Sequence, residues 1–414
     1  MVFNSNSKFD RYKSDMKLTL IHNLLSLIVR LLCISLLLII CLPAADENTE
    51  LPSVVRIYGF GTIIFLFVFS VLISGLKPKN LVRLSLPWFA LFFACFVPAA
   101  INNASIQVFS HVVLIYLIYF IVLPNTPINF QDLALSTSLL NVYLSYRCFF
   151  EMDIFLETFY GTASNSNQFA LFLIGGVIGA IYLFVSNQNI IIKIYAILTL
   201  AVSVVLVAFS SSRTVMVSIV IMVLYSIKFL LSERKAIFSK TFTYGILILS
   251  ILYLLITYQD AVYTFLFSKW NSTSDDMSSG RVDIWLNAFE NISFGGDFNS
   301  TVNANSEFIN HLILFGIFPY IAYTSLIIIC LFKSWKIYKR ERSADNLFCF
   351  YIVASYSFMS IFENFYSTFG QSINIMFWMA LSHQFYYQPL SVKKMQVSRN
   401  KVKNEESFYS CPCL

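Results

Sequence analysis

Charge is scarce in this chain: only 12% of its 414 residues are charged, against 57% that are hydrophobic. That scarcity excludes a soluble domain of useful size. A cysteine framework is also missing, since Cys33, Cys41, Cys95, Cys148, Cys330, Cys349, Cys411 and Cys413 are scattered, mostly inside apolar stretches, which implies no disulfide scaffold and no metal site. The period-2 alternation of a membrane barrel is absent. So is a basic face for nucleic acid, because the net charge of +6 is spread along the chain. No internal repeat of the kind found in transporters is visible.

What is present is a series of apolar stretches near 18–42, 57–75, 84–102, 106–123, 133–150, 167–186, 193–210, 214–231, 241–258, 308–332, 347–364 and 371–388. Lipid offers no hydrogen-bond partners, so each stretch has to satisfy its own backbone as a helix. The expected fold is all-α: a polytopic membrane bundle of about 12 transmembrane helices, forming a single domain over 1–414 with a large, partly helical loop at 259–307 and a tail at 389–414.

Charge placement orients the bundle. With the N-terminus inside, 22 of the 28 Lys and Arg residues fall on inner segments, while Asp46, Glu47, Glu50, Glu151, Asp153, Glu157 and the carboxylates of the 259–307 loop fall outside. Both termini are therefore expected in the cytoplasm. The first apolar block is longer than a signal sequence core and is expected to be retained.

Six basic residues escape the inside rule: Arg30, Arg56, Arg147, Arg213, Lys269 and Arg281. Arg56 at a helix mouth serves as an interfacial anchor. For mid-span Arg30, an internal ion pair or a misplaced boundary stands beside a functional reading. Arg147 lies close to Glu151 and Asp153, where a salt bridge competes with a substrate role. Arg213 belongs to the tight turn Phe209-Ser-Ser-Ser-Arg-Thr214, which fixes a guanidinium at the outer surface. The stretch Asn165-Ser-Asn-Gln-Phe-Ala170 opens the sixth span with amides and hydroxyls, suited to helix capping or to sugar hydroxyls; Asn165 and Asn167 are its candidate ligands.

In the long loop, Ile284, Trp285, Ala288 and Phe289 recur at helical spacing. A short amphipathic helix with Arg281 near its start is expected there, lying along the membrane surface. Trp285 is either its interfacial anchor or a sugar-stacking platform. Arginine forks match phosphate oxygens, so Arg213 and Arg281 together point to a lipid-linked phosphate or pyrophosphate.

The Asn-rich helix start, the Ser-Arg turn, the Gly280-Arg281-x-x-x-Trp285 motif in a large outer loop and the Asn305-Ser306 pair before Gly316 resemble, in order and placement, the O-antigen ligase and polymerase superfamily. The likeness covers roughly Gly161 to Tyr320. It implies a metal-independent glycosyltransferase without cofactor in a bacterial inner membrane, acting on undecaprenyl-pyrophosphate-linked oligosaccharide at the periplasmic face. A chain-length regulator protein and membrane lipid are the implied partners. Arg213 and Arg281 would hold the pyrophosphate and Glu307 would activate or orient the acceptor hydroxyl, with Asp297, Asp283 and Glu363 as competing carboxylates. Arg147, Trp285, Asn305 and Asp297 would join Asn165 and Asn167 in binding substrate. The motif histidine of the ligases is replaced here by Asn305, and the last motif glycine by Pro319, which favours polymerase over ligase; a flippase for the same lipid-linked units is the third alternative. His311, six residues beyond Asn305, is expected to be a hydrogen-bonded histidine of the bundle.

Overall fold

The computed structural model describes residues 129–152, 159, 161–163, 166–187, 189–210, 212–233, 281–291, 296–297, 304, 306–363 and 372–386, together with isolated positions 24, 27, 28, 30, 31, 35, 38, 65 and 68. Most of the spans expected near 57–75, 84–102, 106–123 and 241–258, and the 389–414 tail, lie outside the described residues. Nine helices are described: α1 (Phe130–Glu151), α2 (Ser166–Ser186), α3 (Ile190–Phe209), α4 (Arg213–Glu233), α5 (Arg281–Glu290), α6 (Glu307–Phe315), α7 (Ile317–Arg340), α8 (Ala344–Phe362) and α9 (Ser372–Tyr386). There is no strand among the described residues.

Local chemistry sets the boundaries. Asn129 and Asp132 form a capping box at the start of α1, Asn189 caps α3 and Ser343 caps α8. The apolar run expected as one span over 308–332 is instead two helices, because Gly316 adopts φ +88° between α6 and α7. An L side chain rarely takes that conformation, so the glycine ends one helix and lets the next start in a new direction. Pro319 falls in the first turn of α7, where its missing N–H is no loss.

Helices α2, α3, α7 and α8 are long and apolar enough to cross a membrane. Around α3 and α1 the pattern is inverted relative to a water-soluble bundle. Helix α3 turns Ala196, Thr199 and Ser203 inward and Ile190, Ile191, Ile194 and Ile197 outward. Helix α1 likewise buries Ser136, Thr137, Ser138, Asn141 and Ser145 while exposing Leu139, Val142 and Phe149. Small and polar residues inside with large aliphatics outside is the pattern expected when hydrocarbon is the solvent.

Helix α2 is the axis, packed by α1, α3, α4, α8 and α9. Its close approach to α1 depends on Gly179, where a Cβ would come within 2.6 Å of the Ala134 carbonyl oxygen and Thr137 Oγ1. One turn away the Asn141 amide donates to the Leu173 carbonyl at 2.7 Å and to Ser203 Oγ at 2.9 Å, joining α1, α2 and α3.

These cross-links fix a common register. Asn141 opposite Leu173 makes α1 and α2 antiparallel, so Arg147, six residues on, is level with Asn167, six residues back. Ser226 meets Tyr351 at 2.9 Å and Ser355 meets Met222 at 3.3 Å, so α4 and α8 are also antiparallel. Arg213 precedes Met222 by nine residues and Glu363 follows Ser355 by eight, which brings the start of α4 level with the end of α8. Tyr182, near the end of α2, bonds Asp345 at the start of α8 at 2.7 Å. The bundle thus has one end gathering Arg147, Asn167, Arg213 and Glu363, and an opposite end gathering Asp132, Tyr182 and Asp345.

Candidate functional site

The end that carries Glu363 is also where the long loop returns. Arg281, the first residue of α5, donates from Nη1 to the Phe362 carbonyl at 3.0 Å, and its Nη2 lies 3.8 Å from Glu363 Oε1. Phe362 closes α8, so its carbonyl is one that no helical N–H can reach, and a guanidinium there also complements the negative end of the helix dipole. The Glu363 carbonyl accepts the backbone N–H of Glu307 at 3.0 Å. Glu307 opens α6, which places its carboxylate at the positive end of that helix. Thus Arg281 and Glu307, 26 positions apart in the chain (307 less 281), both meet Glu363, the residue that caps α8.

Glu307 and His311 are both 1% exposed, and His311 Nδ1 lies 2.9 Å from the Glu307 carbonyl and 3.7 Å from Glu307 Oε1. A carbonyl only accepts, so Nδ1 carries the hydrogen and Nε2 the lone pair of the neutral ring. Helix α6 lies outside the four candidate spans, and burial there pushes the His311 imidazole down to about 4. His311 stacks on Tyr323 of α7 at 4.1 Å and 7°, and the Tyr323 hydroxyl meets that of Tyr356 of α8 at 2.9 Å. Tyr356 in turn stacks on Phe377 of α9 at 3.9 Å. The acidic turn of α6 is therefore tied directly to α7 and α8, and through the Tyr323–Tyr356 pair to α9.

The loop is pinned at both ends of α6. Trp285 Nε1–H donates to the Ala304 carbonyl at 2.9 Å, and the Ala304 N–H donates to Asn310 Oδ1 at 2.9 Å. At the other end the Asp297 N–H donates to the Ile313 carbonyl at 2.7 Å. Gly296, at φ +64°, runs so close that a Cβ would stand 2.4 Å from the Leu314 carbonyl oxygen. Asp297 is exposed and sits at the opposite end of α6 from Glu307, about 9 Å along the helix axis. The structure does not join it to the Arg281 corner.

Arg147 pairs with Glu151 at 2.9 Å within α1. Asn167 is half-buried in the first turn of α2, and Arg213 opens α4. Asn165 and Asn305 lie outside the described residues. Arg30, the mid-span arginine, makes an ion pair with Asp132, Nε to Oδ2 at 2.9 Å and Nη2 to Oδ1 at 2.5 Å, at the opposite end of the bundle. Helix α5 forms where the spacing predicts it, but Ile284, Trp285 and Ala288 are half-buried, and Trp285 is tied to the loop by its indole hydrogen bond.

Three contributors escaped sequence reasoning. Glu363 stood only among competing carboxylates, yet its backbone and side chain contact both predicted residues. Asn310 was not singled out, although an amide four residues after a serine at a helix start is a candidate for holding the incoming chain. The Phe362 carbonyl had no side-chain signal at all. Comparison of the chain with models of known protein families and with characterised proteins gives no match.

Proposed function

We propose that this chain is a membrane glycosyltransferase of the O-antigen polymerase type, joining oligosaccharide units carried on undecaprenyl pyrophosphate at the outer face of a bacterial inner membrane. The observation that carries this reading is the meeting of Arg281, Glu363 and Glu307 at the end of α8. Arg213, Arg147 and Asn167 reach the same end of the bundle through the helix register. In this scheme Arg213 and Arg281 bind the pyrophosphate and stabilise the charge that develops as it leaves. An acceptor hydroxyl oxygen attacks the anomeric carbon, and the bond from that carbon to the pyrophosphate oxygen breaks. The electron pair departs with the lipid pyrophosphate, and the hydroxyl proton passes to Glu307.

The test is deletion of the gene in its host, with surface polysaccharide resolved on a gel after complementation by the native chain or by Glu307→Gln. A core bearing a single repeat unit, unrestored by Glu307→Gln, is the expected result. Loss of all surface glycan with polymer accumulating on lipid would make the chain a ligase, and unpolymerised units trapped on the inner face would make it a flippase.

A further inference from the structure

Helix α5 has three faces rather than two. At about 100° per residue, Arg281, Ile284, Trp285 and Ala288 share one side, and all four are half-buried toward the rest of the protein. Val282, Leu286 and Phe289 fall within about 60° of arc on the next side and are 48%, 54% and 43% exposed. Asp283, Asn287 and Glu290 form the third side and are exposed. The exposed apolar side shares only Phe289 with the side that the sequence spacing singles out, and it is bordered by carboxylates and an amide.

That apolar side does not end at α5. Phe289 makes an edge contact with Tyr320 in the first turn of α7, at 6.5 Å between ring centroids. Beside Tyr320 stand Phe318 and Ile321, 54% and 52% exposed, which begin the outward apolar face of a helix long and apolar enough to cross a membrane. Through the Phe289–Tyr320 contact the exposed apolar side of α5 adjoins the start of a candidate span, while the same helix also carries a fully polar edge.

We infer that α5 is an interfacial helix seated in the bilayer, with Val282, Leu286 and Phe289 in the hydrocarbon margin and Asp283, Asn287 and Glu290 toward water. The occupant of the apolar face is bilayer lipid, because that face adjoins, through Phe289 and Tyr320, the first turn of a helix long and apolar enough to cross a membrane, and an amphipathic helix of this kind sinks about 5–10 Å into the boundary of head groups and chains. Arg281, adjoining Val282 at the helix start, is then held at head-group depth. On the reading given under Proposed function, a lipid-borne pyrophosphate meets it without leaving the membrane plane.

The full chain in phosphatidylcholine vesicles, spin-labelled through Val282→Cys, Leu286→Cys or Phe289→Cys and in parallel through Asp283→Cys, Asn287→Cys or Glu290→Cys, tests this directly, with the labelled native chain as background. Collisions with oxygen should exceed those with a water-soluble nickel chelate at least threefold at the first three positions, and the ratio should reverse at the other three. Equal access of the chelate to positions 286 and 287 would overturn the inference, and so would immobilised labels at 282, 286 and 289 reached by neither reagent, which would mean a protein partner. Photolabelling of the unsubstituted chain by a diazirine carried on a lipid tail gives a reading that needs no variant: adducts on Val282, Leu286 or Phe289 are expected, and their confinement to Asp283, Asn287 and Glu290 would refute it. Neither measurement depends on enzymatic activity, so this inference and the polymerase reading fail separately.

Discussion

The two ends of the bundle handle buried charge in different ways. At the opposite end Arg30 clasps Asp132 through two hydrogen bonds, and Asp132 also completes the cap of α1. At the loop end Arg281 spends one bond on a backbone carbonyl and approaches its carboxylate only to 3.8 Å. A bidentate pair uses the guanidinium fork and both carboxylate oxygens at once, leaving little for a ligand. A guanidinium held by a helix-terminal carbonyl is positioned without being consumed. The lesson is that an arginine out of place in a membrane sequence signals function or architecture according to how its partners occupy it, and sequence position alone does not separate the two.

Exchanging the arginines for alanine sets the two ends against each other most sharply. Arg281→Ala should lower polymerising activity by about 10²- to 10³-fold, and Arg213→Ala similarly, while for Arg281→Ala thermal stability in detergent falls by only about 1–2 kcal/mol, from the hydrogen bond to the Phe362 carbonyl and the long ion pair with Glu363. Arg30→Ala should do the reverse, costing about 3 kcal/mol because Asp132 is left buried without its partner. The pair Arg30→Met with Asp132→Leu should recover most of that loss. Arg340→Ala, at the exposed end of α7, should stay within about 0.5 kcal/mol and keep full activity. Equal destabilisation by Arg281→Ala and Arg30→Ala would erase the distinction between the ends.

A second contrast concerns pH. In the unfolded chain His311 takes up a proton near the ordinary 6.5, but in the folded protein only near about 4. Between those values the unfolded state binds more protons, so folding stability falls as pH is lowered through the window, by roughly 1.4 kcal/mol per unit and about 3 kcal/mol in all. Chemical denaturation between pH 7 and 4 should show this slope, and His311→Phe should flatten it. An unchanged slope in the variant would assign the acid sensitivity to other groups.

At the opposite end Tyr182→Phe removes the hydrogen bond to Asp345, which is itself exposed. Water can replace the lost donor, so the cost should be about 1.5 kcal/mol in thermal unfolding, with activity unaffected. A drop in activity comparable to that of Arg281→Ala would tie the two ends into one functional unit.

How much of this was legible depended on which atoms made the contacts. The starts and ends of α2, α3, α4 and α8 follow, to within three residues, from apolar runs bounded by polar residues, and the start of α5 from side-chain spacing. The break at Gly316 was hidden, because the flanking residues are apolar on both sides and a lone glycine is tolerated in a membrane helix. Arg281 stood out as a basic residue in the outer loop, against the inside rule, and Glu307 as a carboxylate at the mouth of an apolar stretch. Their meeting place did not, since it is built from the Phe362 and Glu363 carbonyls, and every residue has a carbonyl. Arg30 and Asp132 are 102 positions apart, a separation over which no local pattern carries information. The inward hydroxyl stripe of α3 was in the sequence, but only the packing around α2 says which side is in.

Trp285 is where the loop end is most open to a fine test, since its ring offers two roles that one substitution can divide. Its indole N–H holds the buried Ala304 carbonyl, and Trp285→Phe deletes that bond while keeping an aromatic face. If the residue serves mainly as a strut between α5 and the start of α6, Trp285→Phe should cost about 1 kcal/mol of stability and lower activity by less than tenfold, through looser placement of Arg281. If it is a platform for a sugar, Trp285→Phe should keep nearly all activity and Trp285→Ala should raise KM without lowering kcat, because stacking that is equal in ground and transition states affects binding alone. The hydrogen bond to Ala304 turns the indole edge into the protein, so the strut outcome is expected, with Trp285→Phe and Trp285→Ala similar in kcat.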